Sequence, residues 1–289
     1  MNEPTNHPLA RSIAQALGQE VDQLRPLHGG CLGEVYLVAL RDGDRVVAKA
    51  DDRPRPQLTV EAYMLRYLAE HSRLPVPQVL HATDRLLVMT HLPGESRFSP
   101  AAEAHLAELI AALHDVTGPA FGLERDTLIG LLPQPNPWTD SWIDFFREQR
   151  LLHLARLAVE WGKMPASLLR RVQAMAAHLE EWLEEPERPS LIHGDLWTTN
   201  VLAQGGRITG ILDPAIYYAH PEIELAYMQL FHSFGQPFFR RYQELRPIRP
   251  GFFQLRQRIY NLYPLLSHVC HFGGGYVQSV ERTLAWLGY

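Results

Sequence analysis

Leu191-Ile192-His193-Gly194-Asp195-Leu196-Trp197-Thr198-Thr199-Asn200, followed by Gly210-Ile211-Leu212-Asp213-Pro214, is the stretch that decides the fold. An apolar, strand-like lead runs into His-Gly-Asp, an asparagine follows the aspartate at Asn200, and a second aspartate ends another short apolar run. Phosphoryl transfer asks for few protein groups: a carboxylate that takes the proton of the acceptor hydroxyl, and oxygen ligands that hold magnesium beside the phosphates. Asp195 suits the first role as catalytic base, and Asn200 and Asp213 suit the second as metal ligands. Protein-kinase catalytic loops place their Asp and metal-binding Asn at this same spacing, with a His two residues before the Asp. Here Gly194 stands where those kinases use Arg, and Asp213-Pro214-Ala215 replaces Asp-Phe-Gly. A His-Gly-Asp turn that merely caps a helix is the plainer alternative. The spacing of Asn200 and Asp213 tells against it.

The N-terminal part supports the same reading. Glu34–Leu40 and Arg45–Lys49 read as two strands joined by Arg41-Asp42-Gly43-Asp44, a hairpin signal. Just before them, His28-Gly29-Gly30-Cys31-Leu32-Gly33 resembles a phosphate-covering loop, where Gly30 and Gly33 let the backbone approach an anion without a clashing Cβ. Lys49, on the second strand, stands where a lysine pairs with phosphates, and Glu61, in a helical pattern over residues 57–71, is placed to hold it. A short amphipathic helix precedes over 9–18, and Leu86–Met89 reads as a further strand. Beyond Pro93-Gly94 the pattern is mostly helical, over residues 101–116, 141–162, 165–185, 222–245 and 252–270, with a β insertion at 201–203 and 208–212. The expectation is an α+β, two-lobed protein-kinase-like fold: a nucleotide-binding lobe over 1–92 with a small antiparallel sheet, and a larger helical lobe over 93–289 for catalysis and the acceptor. A nucleotide held between two such bodies needs ATP and Mg2+ as cofactors.

Composition narrows the partners. The 289-residue chain is 46% hydrophobic and 20% charged with a net charge of -5, an ordinary globular balance that offers no basic face for nucleic acid. No apolar stretch reaches the roughly 18 to 20 residues of a membrane span, and Met1-Asn2-Glu3-Pro4 carries no secretory pattern, so a cytoplasmic protein is expected. Two cysteines, Cys31 and Cys270, form neither a disulfide framework nor a metal spacing. Cys31, in a glycine-rich loop near a lysine, is a candidate redox-sensitive thiol. Few residues separate Asp213 from a helix starting near Pro221-Glu222, which leaves no room for a long phosphorylatable activation segment and favours a small-molecule acceptor.

At four places the chain resembles the fructosamine/ketosamine 3-kinases, within the aminoglycoside phosphotransferase-like kinases: 193–200, Asp213-Pro-Ala-Ile-Tyr-Tyr-Ala-His-Pro-Glu222, Trp142-Ile-Asp-Phe-Phe-Arg-Glu-Gln-Arg150, and 262–276 with His268. The resemblance implies MgATP-dependent phosphorylation of the sugar 3-hydroxyl of a ketosamine such as fructosamine or ribulosamine, free or carried on glycated protein lysines, and hence deglycation repair. It implies main-chain contacts to adenine near Thr90 and Leu92. Ala219 and Glu224 depart from the family's usual Gly and Asp, and Met89-Thr90-His91-Leu92 lacks the common Glu. Trp197, beside the base, is a candidate wall for the sugar, and Glu222 and His268 are further acceptor-binding candidates. For Trp142 and Phe146 core packing is the better reading, and His268 with His271 lack a third metal ligand. The nearest rival is the same chemistry on an aminoglycoside, choline or homoserine-like hydroxyl. From another class comes a nucleotide-binding scaffold without catalysis, which the presence of Lys49, Asp195, Asn200 and Asp213 together disfavours.

Overall fold

Alternation of apolar residues builds the first part of the chain. The computed structural model describes residues 7–27 and 34–289, so Gly30, Gly33 and Cys31 lie outside the described residues. The elements run α1 (Pro8–Leu17), β1 (Val21–Leu27), β2 (Glu34–Leu40), β3 (Arg45–Ala50), α2 (Leu58–His71), β4 (Val79–Ala82), β5 (Leu86–Thr90) and α3 (Pro100–His114). Next come β6 (Thr127–Ile129), β7 (Leu132–Gln134), α4 (Trp142–Phe145), a π-helical stretch (Phe146–Leu152), α5 (His153–Glu160) and α6 (Ala166–Ala176). Then follow β8 (Ser190–Ile192), β9 (Val201–Gln204), β10 (Arg207–Ile211) and β11 (Tyr217–Ala219). The chain ends with α7 (Glu222–Leu230), α8 (Gln236–Leu245), α9 (Gln257–Tyr260), α10 (Leu262–Phe272) and α11 (Gly275–Trp286).

Two compact units emerge, one of Met1–Ala102 with Thr199–Pro214, the other of Glu103–Thr198 with Ala215–Tyr289. The break expected after residue 92 thus falls after Ala102, and the first unit also takes in the β9–β10 hairpin. Backbone pairing is the reason. Glu95 and Ala203 exchange hydrogen bonds of 3.0 and 2.9 Å, the Ser96 hydroxyl donates to Val201 O at 3.0 Å, and Ile211 N–H donates to Pro75 O at 2.8 Å.

The first unit is built on an antiparallel sheet of order β1-β2-β3-β5-β4. Leu86-Leu87-Val88-Met89 is continuous in sequence because both faces of β5 are covered. Leu86 and Val88 join Val46 and Ala48 against Ala10 and Ile13 of α1, whereas Leu87 and Met89 pack on Leu58, Ala62 and Leu65 of α2. The period of two then sends Lys49 to the α2 side. Strand β1 was not foreseen: its polar pattern and Pro26 hide it, and both are tolerated because it is an edge.

In the second unit the long helical stretches are broken at identifiable points. The 222–245 pattern divides into α7 and α8, for Gly235 caps the second helix and Pro237 sits in its first turn, where a missing N–H costs nothing. Residues 141–162 contain the π-helical stretch, which turns Arg150 inward. Arg150 is fully buried; its guanidinium lies 3.8 Å from the Tyr217 ring centroid and donates to Pro135 O and Asn136 Oδ1 at 2.8 and 2.6 Å. Trp142 and Phe146 are also fully buried, and Trp142 Nε1 donates to the Tyr260 hydroxyl at 3.1 Å. Both are core. Among the described residues no helix is long and apolar enough to cross a membrane.

Candidate active site

In the first unit a buried ion network forms where β3, α2 and the end of the β9–β10 hairpin meet. Lys49 Nζ donates to Glu61 Oε1 at 2.6 Å and to Asp213 Oδ1. Only 5% of Lys49 and 6% of Glu61 is exposed, so neither charge is held by water. Burial alone would lower the lysine; the charges and hydrogen bonds of Asp213 and Glu61 outweigh it and hold the ammonium above its usual range. Glu61 is pushed up, first by burial, against the pull of Lys49. A permanent cation facing a carboxylate is what a phosphate-binding lysine requires.

Asn200 and Asp213 are distant in sequence but close in the hairpin. Val201 pairs with Ile211, and Leu212 N–H donates to Asn200 O at 2.8 Å, so the two residues flank matching ends of the ladder. Asp213 adopts φ 53°, a left-handed conformation that aspartate tolerates better than most residues. Lys49, Glu61, Thr90, Leu92, Asn200 and Asp213 all line one cavity of about 510 Å3, within the range of small-molecule sites. Its walls include Val35, Val47, Leu202 and Leu212, apolar surface suited to a planar base. The donor set fits magnesium, since the Asn200 and Asp213 side chains offer hard oxygen ligands on the same cavity as the Lys49 ammonium.

In the second unit, β8 pairs with β11 and delivers His193, Gly194 and Asp195 at its end. His193 O accepts from Ala215 N–H at 2.8 Å, and Gly194 takes φ 85°. A Cβ on Gly194 would sit 2.1 Å from Ala215 O, which explains why no side chain stands where protein kinases carry Arg. The Gly194 N–H donates to Glu224 Oε1 at 2.8 Å, and the other Glu224 oxygen meets His114 Nε2 at 2.9 Å. Burial would raise the Glu224 carboxyl, but the bonds and charges of His114 and Gly194 outweigh it and hold it below its usual range. The Tyr227 hydroxyl donates to Asp195 Oδ1. Tyr227 and His114 were not picked out from sequence, and Glu224 was noted only as a departure from the family's usual Asp. A signal existed: Glu224 lies between Ile223, Leu225, Ala226 and Met228, all buried, and a carboxylate in such a helix must have a partner.

The acceptor candidates separate. Trp197 is half-buried and 5.9 Å from the Phe231 ring, which in turn lies 5.1 Å from His268 and 6.0 Å from Tyr227. His268 also lines a narrow cavity with Gly194 and Tyr227, of about 10 Å3, on the order of one water. Trp197 and His268 thus belong to one aromatic patch that reaches Tyr227, the partner of Asp195. Glu222 does not: its carboxylate is taken by Arg256, at 2.7 and 2.6 Å, on the wall of another cavity. His268 and His271 each bond a backbone carbonyl through Nδ1, and no group of three or more metal-ligating side chains occurs among the described residues. Cys270 is buried, and burial pushes its thiol up to about 12.

His220, two residues before Glu222, gives the site's surroundings a pH dependence. Burial and then Arg256, Arg249 and His114 push it down to about 3. Its Nδ1 accepts the Glu222 N–H at 3.0 Å, which requires that nitrogen unprotonated. The unfolded chain binds a proton near pH 6.5 that the folded chain rejects, so this stability is present above that pH and is lost as pH falls toward the folded value. The expected loss from this residue between pH 7 and pH 5 is about 2 kcal/mol. Urea denaturation checks it: His220→Gln should lose less stability than the wild type over that interval, and equal losses would exonerate His220.

The sheet, the lysine–glutamate pair and the Asp195 loop define a protein-kinase-like phosphotransferase. An aminoglycoside phosphotransferase bound to ADP and hygromycin B has the same fold, with a TM-score of 0.67 at 17% identity over 96% of this chain and 99% of that one. The fructosamine kinase family model matches residues 6–287, and the chain belongs to that family. A Synechocystis protein named "probable ketoamine kinase" is 35% identical over 97% of this chain and 98% of its own length. The crystal structure of a candidate fructosamine-3-kinase from Thermobifida fusca is 32% identical, with a TM-score of 0.85, covering 96% of this chain and 97% of that one. The protein is an ATP-dependent phosphotransferase with a hydroxyl acceptor.

Proposed function

We propose that the protein phosphorylates the 3-hydroxyl of ketosamines such as ribulosamine and fructosamine, free or carried on protein lysines, and so serves deglycation. The observation that carries this reading is the Asp195 loop, tied by Gly194 and Tyr227 beside an aromatic patch, in a chain that matches the family over residues 6–287. Asp195 accepts the proton of the acceptor hydroxyl as its oxygen bonds the γ-phosphorus of ATP and the bond to ADP breaks. Tyr227 orients Asp195 by donating to one carboxylate oxygen. Lys49, fixed by Glu61, binds phosphate oxygens and so lowers the cost of charge developing on them. Asn200 and Asp213 would hold magnesium, which supplies further neutralisation at the phosphates. Trp197 offers an aromatic face to the sugar.

Asp213→Ala tests the metal role. Nucleotide affinity with magnesium should fall by about tenfold or more, the scale of one charged interaction, and its excess over the affinity in EDTA should shrink. A magnesium dependence equal to that of the wild type would remove Asp213 from the ligand set. Substrate class is tested by ATP consumption with ribulosamines, fructosamines, aminoglycosides and choline. Turnover that depends on ketosamines supports the proposal; turnover only with another acceptor overturns the substrate and leaves the fold intact.

A further inference from the structure

A second polar cavity, of about 200 Å3, lies wholly in the second unit. It is smaller than the ~300–1,000 Å3 of drug-sized sites. Three arginines, Arg188, Arg246 and Arg249, line it with Ser190 and His220. Two acids also face it: Glu222, which two nitrogens of Arg256 already hold, and Glu187, which is exposed, as are Arg188 and Arg249, with Arg246 half-buried. Arg246 and Arg249 pair with Asp115 and Glu184, whose side chains are 68% and 65% exposed and do not line the cavity. Such exposed pairs cost little to rearrange. The lining thus carries one more basic than acidic side chain, three against two, and two of its arginines, Arg246 and Arg249, help keep His220 unprotonated.

The wall is also built to donate. His220 is 7% exposed and its Nδ1 is an acceptor, so its Nε2 carries the hydrogen; that N–H has no hydrogen-bond partner among the described residues. The Ser190 hydroxyl, on a residue 1% exposed, likewise has none. Donors without acceptors, positive charge and small volume specify one ligand class.

We propose that this cavity is a second binding site, one that takes a small oxyanion of the phosphate type, either free or as the phosphate group of a metabolite. The site also touches the catalytic loop indirectly: His114 lines it and meets Glu224, which holds the Gly194 N–H. The proposal does not depend on which hydroxyl the protein phosphorylates.

Inorganic phosphate is the probe, and the His220 ring nitrogens, followed by NMR, are the reporter. Titration of the full-length protein should shift the His220 Nε2 signal saturably. Arg246→Gln/Arg249→Gln should weaken that affinity at least about tenfold, the scale of lost charged hydrogen bonds. Should the double variant fail to fold, Arg249→Gln alone, whose pair with Glu184 is exposed, gives the same comparison. No saturable shift in the wild type overturns the proposal. So does a shift of equal affinity in the variants. A phosphorylated metabolite that competes with phosphate for the same signal would identify the source.

Discussion

Asp195→Asn lowers turnover by about 10²- to 10⁴-fold, the usual contribution of a general base, while nucleotide binding persists. Asparagine keeps the shape and can still accept the Tyr227 hydroxyl through its amide oxygen, so the loop has no reason to move. What it cannot do is take the acceptor's proton. Lys49, Glu61 and Asp213, the groups proposed to bind nucleotide and metal, belong to the other compact unit and keep their own network. Steady-state kinetics at saturating ATP, with ADP binding followed separately, distinguishes the two effects. Retention of most activity would remove Asp195 from the chemistry.

Gly194→Ala is expected to be nearly as damaging, for a different reason. At φ 85° an L side chain is strained by about 1–3 kcal/mol. The added Cβ would also meet Ala215 O at 2.1 Å and Ala215 C at 2.8 Å, both backbone atoms that no rotamer change can remove. The loop must shift, and the Gly194 N–H bond to Glu224 shifts with it. A displacement of about 1 Å at a catalytic group costs roughly 100-fold in rate. Denaturation and kinetics measured on one preparation should therefore show lower stability and lower turnover together. Wild-type values for both would mean that the loop is held by other contacts.

Much of this was legible in the sequence because the informative residues are close together along the chain. The spacing from Asp195 to Asn200 and Asp213 is local, and the hairpin between the last two needs only the alternation of Val201–Ala203 and Ile208–Leu212. Lys49 and Glu61 were placed by two periods, that of a strand and that of a helix, and the structure joins them at 2.6 Å. Long-range partners were not legible in the same way. The His114–Glu224 contact spans 110 residues, and no local pattern announces it. Glu222 shows the opposite failure. It lies near Asp213 in sequence, but its helix points it at Arg256, which only tertiary packing brings there. Strand β1 was missed because an edge strand has no need of an apolar pattern.

The account's central claim is transfer of phosphate to the 3-hydroxyl of a ketosamine. Correlated 31P–1H NMR of the product formed from ATP and a ribulosamine or fructosamine tests it directly. The prediction is a phosphorus signal coupled to the proton on sugar carbon 3, absent with Asp195→Asn. Coupling to a proton on another carbon, or no new sugar-coupled phosphorus signal in spectra taken while ATP is being consumed, would contradict it.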